Sequence, residues 1–296
     1  MCFVCRASST NRDLAFSNFA ANAGWRDTIW EHDEYMEFLK IHGLPIPVLL
    51  ACVIGFTLSC VMIDVLHTVD LGLASHIIGN ILWIQANVRN VFGGSNQETR
   101  VSRLENDISK WYSRNKKACK MQHKLIIERL RTKKSWPKLK AKAAATRHLA
   151  RYALELMQLH FDDTNDENKE YDTMCLTVIR LLVRFYDILE SSSMFLSNDV
   201  KKELPTLALQ LGTCYQRLAA DAFARGLRLW KITPKLHLFM HLCEIQAIVF
   251  GNPRFYWTYA DEDLVRHMIE IASSVHPSTL AVISFPTGCL YFTNEL

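Results

Sequence analysis

Apolar positions along this chain recur mostly with a helical period. From Trp25 to Leu39 the pattern predicts a helix, with Trp30, Tyr35 and Phe38 interleaved among acidic residues. Residues 43–63 carry no charge. Within them Phe56 to Ile63 suits a buried strand after a short helix or turn, ending at Asp64-Val65-Leu66-His67. Leu73, Ile77, Ile78, Ile81, Leu82 and Ile84 then predict a helix that stops before Gly93-Gly94. Residues 96–160 read as helices, followed by an acidic loop at Asp162–Glu167 and two further helices over about 171–190 and 199–230. Another helix is predicted from Pro234, a favoured first-turn residue, to the Gly251-Asn252-Pro253 break. Beyond it Phe255, Tyr256, Trp257 and Tyr259 lead into a last helical pattern, Leu264, Val265, Met268, Ile269 and Ala272. Leu280 to Leu296 reads as strand-like or irregular and takes no assignment.

The uncharged run at 44–63 just reaches the length of a transmembrane helix. Pro45 and Pro47 trim one end, Gly55 interrupts the middle and flanking Lys/Arg anchors are sparse, so a buried segment fits better than a membrane anchor. The chain has 296 residues, enough for one large domain or two ordinary ones. Nine cysteines without regular spacing, and no secretory signal, point to a reducing intracellular compartment.

Charge changes the picture more. The net charge is only +4, yet Arg100 to Arg151 holds 17 Lys/Arg against three acids, inside an acidic remainder. Such asymmetry points to a polyanion partner, most plausibly nucleic acid. Lys116, Lys117, Lys133, Lys134, Lys138 and Lys140 are the candidate phosphate contacts, with Trp111, Tyr112 and Trp136 offering stacking surfaces.

Three sets of residues carry candidate chemistry. Cys2-Phe3-Val4-Cys5 has the spacing of half a zinc site, and also suits two buried small hydrophobes. Asp64 and His67 stand at the end of the expected strand, suited to chemistry or to an N-cap and a core histidine. His237 and His241, four apart, share one helix face, and Glu262 opens the next helix where the dipole favours a carboxylate. The same pattern also suits two core histidines and an acidic cap.

Taken in order, these elements resemble the C-terminal part of transposases of the CACTA (En/Spm) type and relatives with a DDE ribonuclease-H-like catalytic domain. Cys2-Phe3-Val4-Cys5 looks like that family's CPxC element. Asp64-Val65-Leu66-His67, with the helix through Gly79-Asn80-Ile81-Leu82, looks like its DxMH element. His237-Leu238-Phe239-Met240-His241-Leu242, Gly251-Asn252-Pro253, Trp257 and Glu262 match its last block. The resemblance implies a predominantly α (α+β) chain with a partial ribonuclease-H-like core: an N-terminal core part at 1–95, a basic helical insertion at 96–230 and a C-terminal core segment at 231–296.

It also implies two Mg²⁺ or Mn²⁺ ions held by three carboxylates for phosphodiester cleavage and strand transfer. Glu262 matches the third carboxylate. The first two lie upstream of the CxxC in the family, and Asp64 is the only acid at an expected strand end here that could substitute. Where the family commonly has an Arg after the Glu, this chain has Asp263. A structural Zn²⁺ on Cys2, Cys5, His237 and His241 is implied as well, and His67 and Trp257 stand as supporting residues. Expected partners are transposon-end and target DNA and further copies of the chain, in the nucleus of a eukaryote. A transposon-derived protein that binds zinc and DNA without chemistry is the alternative.

Overall fold

The computed structural model describes residues 2–133, 135–161 and 166–274, the side chains of residues 166 and 167 excepted. The acidic loop, Lys134 and the stretch Leu280–Leu296 fall wholly or partly outside them. The helices are α1 (His32–Ile41), α2 (Val48–Cys52), a long α3, α4 (Gln97–Arg114), α5 (Ile127–Leu130), α6 (Ala143–Leu159), α7 (Asp166–Ser191), α8 (Asn198–Ala224), α9 starting at Pro234, and α10 (Tyr259–Ser274). α3 is one unbroken run, π-wound over Leu66–Ala74, α-wound over Ser75–Trp83 and π-wound again over Ile84–Val88. α9 likewise continues from Pro234–His241 through a π turn, Leu242–Gln246, into Ala247–Phe250.

α3 is apolar on nearly every side, and a helix of that kind must be surrounded. Ile77, Ile78, Ile81 and Leu82 are all fully buried. α6 and α9 pack on its first part, α7 pairs with α6 and α8, and α8 reaches α9. A charged group sits in this core: Asp70 on α3 receives Arg147 of α6 at 3.1 Å and the Tyr186 hydroxyl of α7 at 2.6 Å.

The chain is predominantly helical, as the apolar pattern implies. The sheet that a ribonuclease-H-like core requires is not among the described residues, which contain two isolated bridges, Cys5 with Ile29 and Ser8 with Ala15. The strand expected at Phe56–Ile63 is a correction. That segment is a 3-10 turn at Leu58–Cys60 followed by extended chain. No neighbouring strand among the described residues offers it a ladder. Instead the Gln246 side chain of α9 accepts from Ile63 N–H at 2.7 Å and donates to the Val61 carbonyl at 2.9 Å. Among the described residues no helix is long and apolar enough to cross a membrane.

Other boundaries differ for local reasons. The helix expected from Trp25 starts only at His32, because Gly24–Asp27 forms a single 3-10 turn that buries Trp25. The basic stretch is helical only in α4, α5 and the start of α6, and Pro137 interrupts it in between. α8 ends at Ala224 rather than 230, where Leu227 N–H bonds back to the Ala222 carbonyl at 2.8 Å.

The predicted break after α9 is present. Gly251 has φ +90, and an added Cβ would lie 2.3 Å from the Met194 carbonyl oxygen. Asn252 then docks on the end of α7, donating to the Leu189 and Ser192 carbonyls at 3.0 Å each. Gly251→Ala is therefore expected to cost about 1–3 kcal/mol, visible as an earlier urea midpoint with unchanged slope. An unchanged midpoint would show that the α7 end yields freely. One compact unit ends at Tyr256, and the chain from Trp257, carrying α10, forms a second.

Candidate metal centre

Four side chains meet at the start of the chain and on α9. The N-terminal segment is mostly irregular, so specific bonds hold it. Trp30 N–H bonds to the Val4 carbonyl at 3.0 Å and Arg6 N–H to that of Thr28 at 3.1 Å, which sets Cys5 beside Ile29. Phe19, fully buried, anchors the loop through its N–H to the Gln216 side chain of α8. On α9 the helical period puts His237 and His241 on one face, and their Nε2 atoms are 3.0 Å apart. Cys5 Sγ lies 3.3 Å from His237 Nε2 and 3.2 Å from His241 Nε2. With Cys2 included, the four ligand atoms all lie within 4.8 Å of one another, and all four residues are buried.

Such spacing suits one ion with bonds of about 2.0–2.3 Å to nitrogen and sulfur. The cluster can bind a metal. Val4 N–H and Ala7 N–H donate to the Cys2 and Cys5 sulfurs at 3.3 and 3.4 Å, an arrangement that favours thiolates. Hydrogen bonding from Cys5 holds the Cys2 thiol below its ordinary value, while that contact and burial push Cys5 up. A bound cation would favour the thiolate form of both. Burial lowers the pKa of His241, keeping its imidazole neutral and able to ligate.

Trp25 packs against the cluster. Its ring meets His237 and His241 edge-on, with centroids 4.5 and 5.0 Å away. The Arg26 guanidinium lies 4.4 Å from the Trp25 ring centroid and pairs with Glu244 of α9. The Nδ1 atoms of both histidines are buried without a hydrogen-bond partner. Sequence reasoning missed Trp25 and Arg26, and their only signal was an aromatic–cation pair between the CxxC and the first helix.

The other candidate residues are dispersed. Asp64 caps α3: its carboxylate accepts from Leu66 N–H at 3.2 Å and His67 N–H at 2.7 Å. The same carboxylate contacts His67 Nδ1 at 2.7 Å, and the His67 side chain is half exposed rather than in the core. Glu262 lies in the first turn of α10, as its spacing implies, and Trp257 stacks edge-on with Tyr259 just before it. Asp64 belongs to the first unit and Glu262 to the second. Asp263 pairs with Arg266 one turn on, at 3.4 Å. Lys116, Lys117, Lys133 and Lys140 are exposed, Lys138 is half-buried, and Lys134 lies outside the described residues. Trp111 and Tyr112 are core residues and offer no stacking surface, whereas Trp136 is 37% exposed.

No protein-family model, curated protein or solved structure matches this chain.

Proposed function

We propose that this chain is the zinc-bound helical part of a transposon-derived DNA-binding protein. One observation carries the reading: two cysteines and two histidines, more than 230 residues apart in sequence, converge in one buried cluster. Two thiolates with two imidazoles favour Zn²⁺ over hard cations such as Mg²⁺. The metal would tie the N-terminal loop to α9, and the basic stretch would neutralise DNA phosphates through Lys116, Lys117, Lys133, Lys134, Lys138 and Lys140.

Strand cleavage is the second reading, favoured by Glu262 in the first turn of its helix. In a longer form carrying the two upstream aspartates and a ribonuclease-H-like sheet, Glu262 would complete a carboxylate set for Mg²⁺ or Mn²⁺. Asp64, engaged as a helix cap, is the weaker candidate for such a role. DNA ends and further copies of the chain are the partners this reading implies, in a nuclear setting.

Metal content by plasma emission and duplex binding by fluorescence anisotropy test the proposal. About one zinc per chain is expected, with affinity that falls steeply as salt rises. Replacing Lys116 and Lys117 by Gln should lower the steepness by about one for each phosphate that is no longer neutralised. Binding that ignores salt would remove the DNA reading. Mg²⁺-dependent nicking by the longer form, abolished in Glu262→Gln, would establish catalysis.

A further inference from the structure

A second site lies on α3, away from the cysteine–histidine cluster, where two distant segments are seated side by side. At Gly79 an added Cβ would come within 2.6 Å of Leu139 N and 2.7 Å of Lys138 Cα. Only the absence of a side chain lets residues 137–140 lie directly on the helix. There Leu139 N–H donates to the Ser75 carbonyl at 2.8 Å. Lys138 and Lys140 N–H bond to the Leu130 and Arg129 carbonyls at 2.7 and 2.8 Å, fixing the segment to α5.

Asn80, fully buried, seats the other segment. Its side chain donates to the His76 carbonyl at 2.7 Å and accepts from Trp230 N–H at 2.9 Å. Trp230 has φ +55, a left-handed turn immediately before Lys231.

Between these segments lies a cavity of about 190 Å³, lined by His76, Arg131, Trp136, Lys138, Lys140 and Lys231 among others. Four of the lining side chains are cations, and no carboxylate is among the described residues that line it. Two of the four, Arg131 and Lys231, lie against aromatic rings. Arg131 Nε donates to the Ser135 carbonyl at 2.9 Å, and its guanidinium lies 4.9 Å from the Trp83 ring centroid. Lys231 and Arg228 lie 5.2 and 5.9 Å from the centroid of Trp136. His76 Nδ1 is buried and has no hydrogen-bond partner. Burial, then Lys138, pushes His76 down to about 4, so the wall adds a neutral imidazole to the four charges. Burial and the nearby Lys138 also lower the pKa of Lys235, which opens α9 beside this group.

Like charges gathered around a concave, partly desolvated space repel one another, and the fold uses a glycine and a buried asparagine to bring them together. An anion relieves that repulsion. The arrangement of several lysines as point charges with one arginine fork suits a tetrahedral phosphate better than a single carboxylate. We propose that this cavity is a phosphate-binding pocket, which takes a backbone phosphate of the nucleic acid. The backbone as source rests on the DNA reading above, whereas the pocket itself rests on the geometry of α3 and its two seated segments.

The test compares the intact chain with Lys138→Gln/Lys231→Gln and with Lys116→Gln/Lys117→Gln, two variants that lose equal charge. A labelled DNA duplex is titrated by anisotropy, and inorganic phosphate is titrated while the His76 ring signals are followed by NMR. The pocket pair is expected to weaken duplex binding about tenfold, as for loss of charged hydrogen bonds, and the outer pair only about two- to threefold. Phosphate should shift the His76 signals saturably in the intact chain and not in the pocket variant. Gly79→Ala, which keeps every charge but displaces Lys138, should weaken both responses in a chain that still melts cooperatively. Equal losses from both lysine pairs, with His76 unmoved by phosphate, would overturn the pocket and leave DNA binding standing. A saturating phosphate shift without duplex binding would uphold the pocket for free phosphate and overturn the DNA reading.

Discussion

Replacing Cys5 by Ser is expected to reduce bound zinc from about one per chain to background and to lower the thermal midpoint by roughly 10 °C or more. The size follows from what the metal would join. The N-terminal segment carries little regular structure and crosses to α9 through Cys2 and Cys5, which meet His237 and His241 within 4.8 Å. Structural zinc sites contribute on the order of 10 kcal/mol of apparent binding energy. Half of that, in a unit of this size, corresponds to a shift of roughly 10–20 °C. His241→Ala should match it, and prolonged chelation should move the intact chain toward the variants. Cys119→Ser, at an exposed cysteine outside the cluster, should retain the metal. A Cys5→Ser protein with full zinc content and an unchanged melt would rule out the metal centre.

Asp70→Ala is expected to cost about 3–5 kcal/mol, because it leaves the Arg147 guanidinium facing the core without its carboxylate. Asp70 is fully buried and accepts from both Arg147 and the Tyr186 hydroxyl, so one substitution breaks links from α3 to α6 and α7 together. Asp70→Asn keeps an acceptor for Tyr186 and should fall between the variant and the parent. The double substitution Asp70→Leu/Arg147→Met removes both charges and should recover most of the loss. Urea unfolding of the four proteins measures this directly. If Asp70→Ala alone were neutral, the core of this fold would not depend on this buried acid.

Much of the helical layout was legible in sequence. The apolar period located α3, α7 and α8, and the Gly251-Asn252-Pro253 break ended α9 where Gly251 takes φ +90. The spacing of His237 and His241 was enough to put them on one face, since that depends only on local helix geometry. Glu262 opens α10 for the same reason. The supposed strand at Phe56–Ile63 failed because an apolar run states only that a segment is buried. Whether its backbone pairs with a strand or with a side chain depends on its neighbours, and here the neighbour was Gln246.

The sequence by itself determined where helices form, which residues share a helix face and where positive charge accumulates, because those follow from period and composition. It also offered the four candidate metal ligands as a set through a family resemblance. Their meeting was decided by tertiary structure, since Cys5 and His237 lie 232 positions apart and no local rule joins them. The same holds for the basic pocket. Gly79 and Asn80 lie within an apolar helix, and their part in the pocket emerges only when the chain at Leu139 and at Trp230 packs against them. Contacts of this kind arise from close packing between distant segments, whose partners the linear pattern does not name.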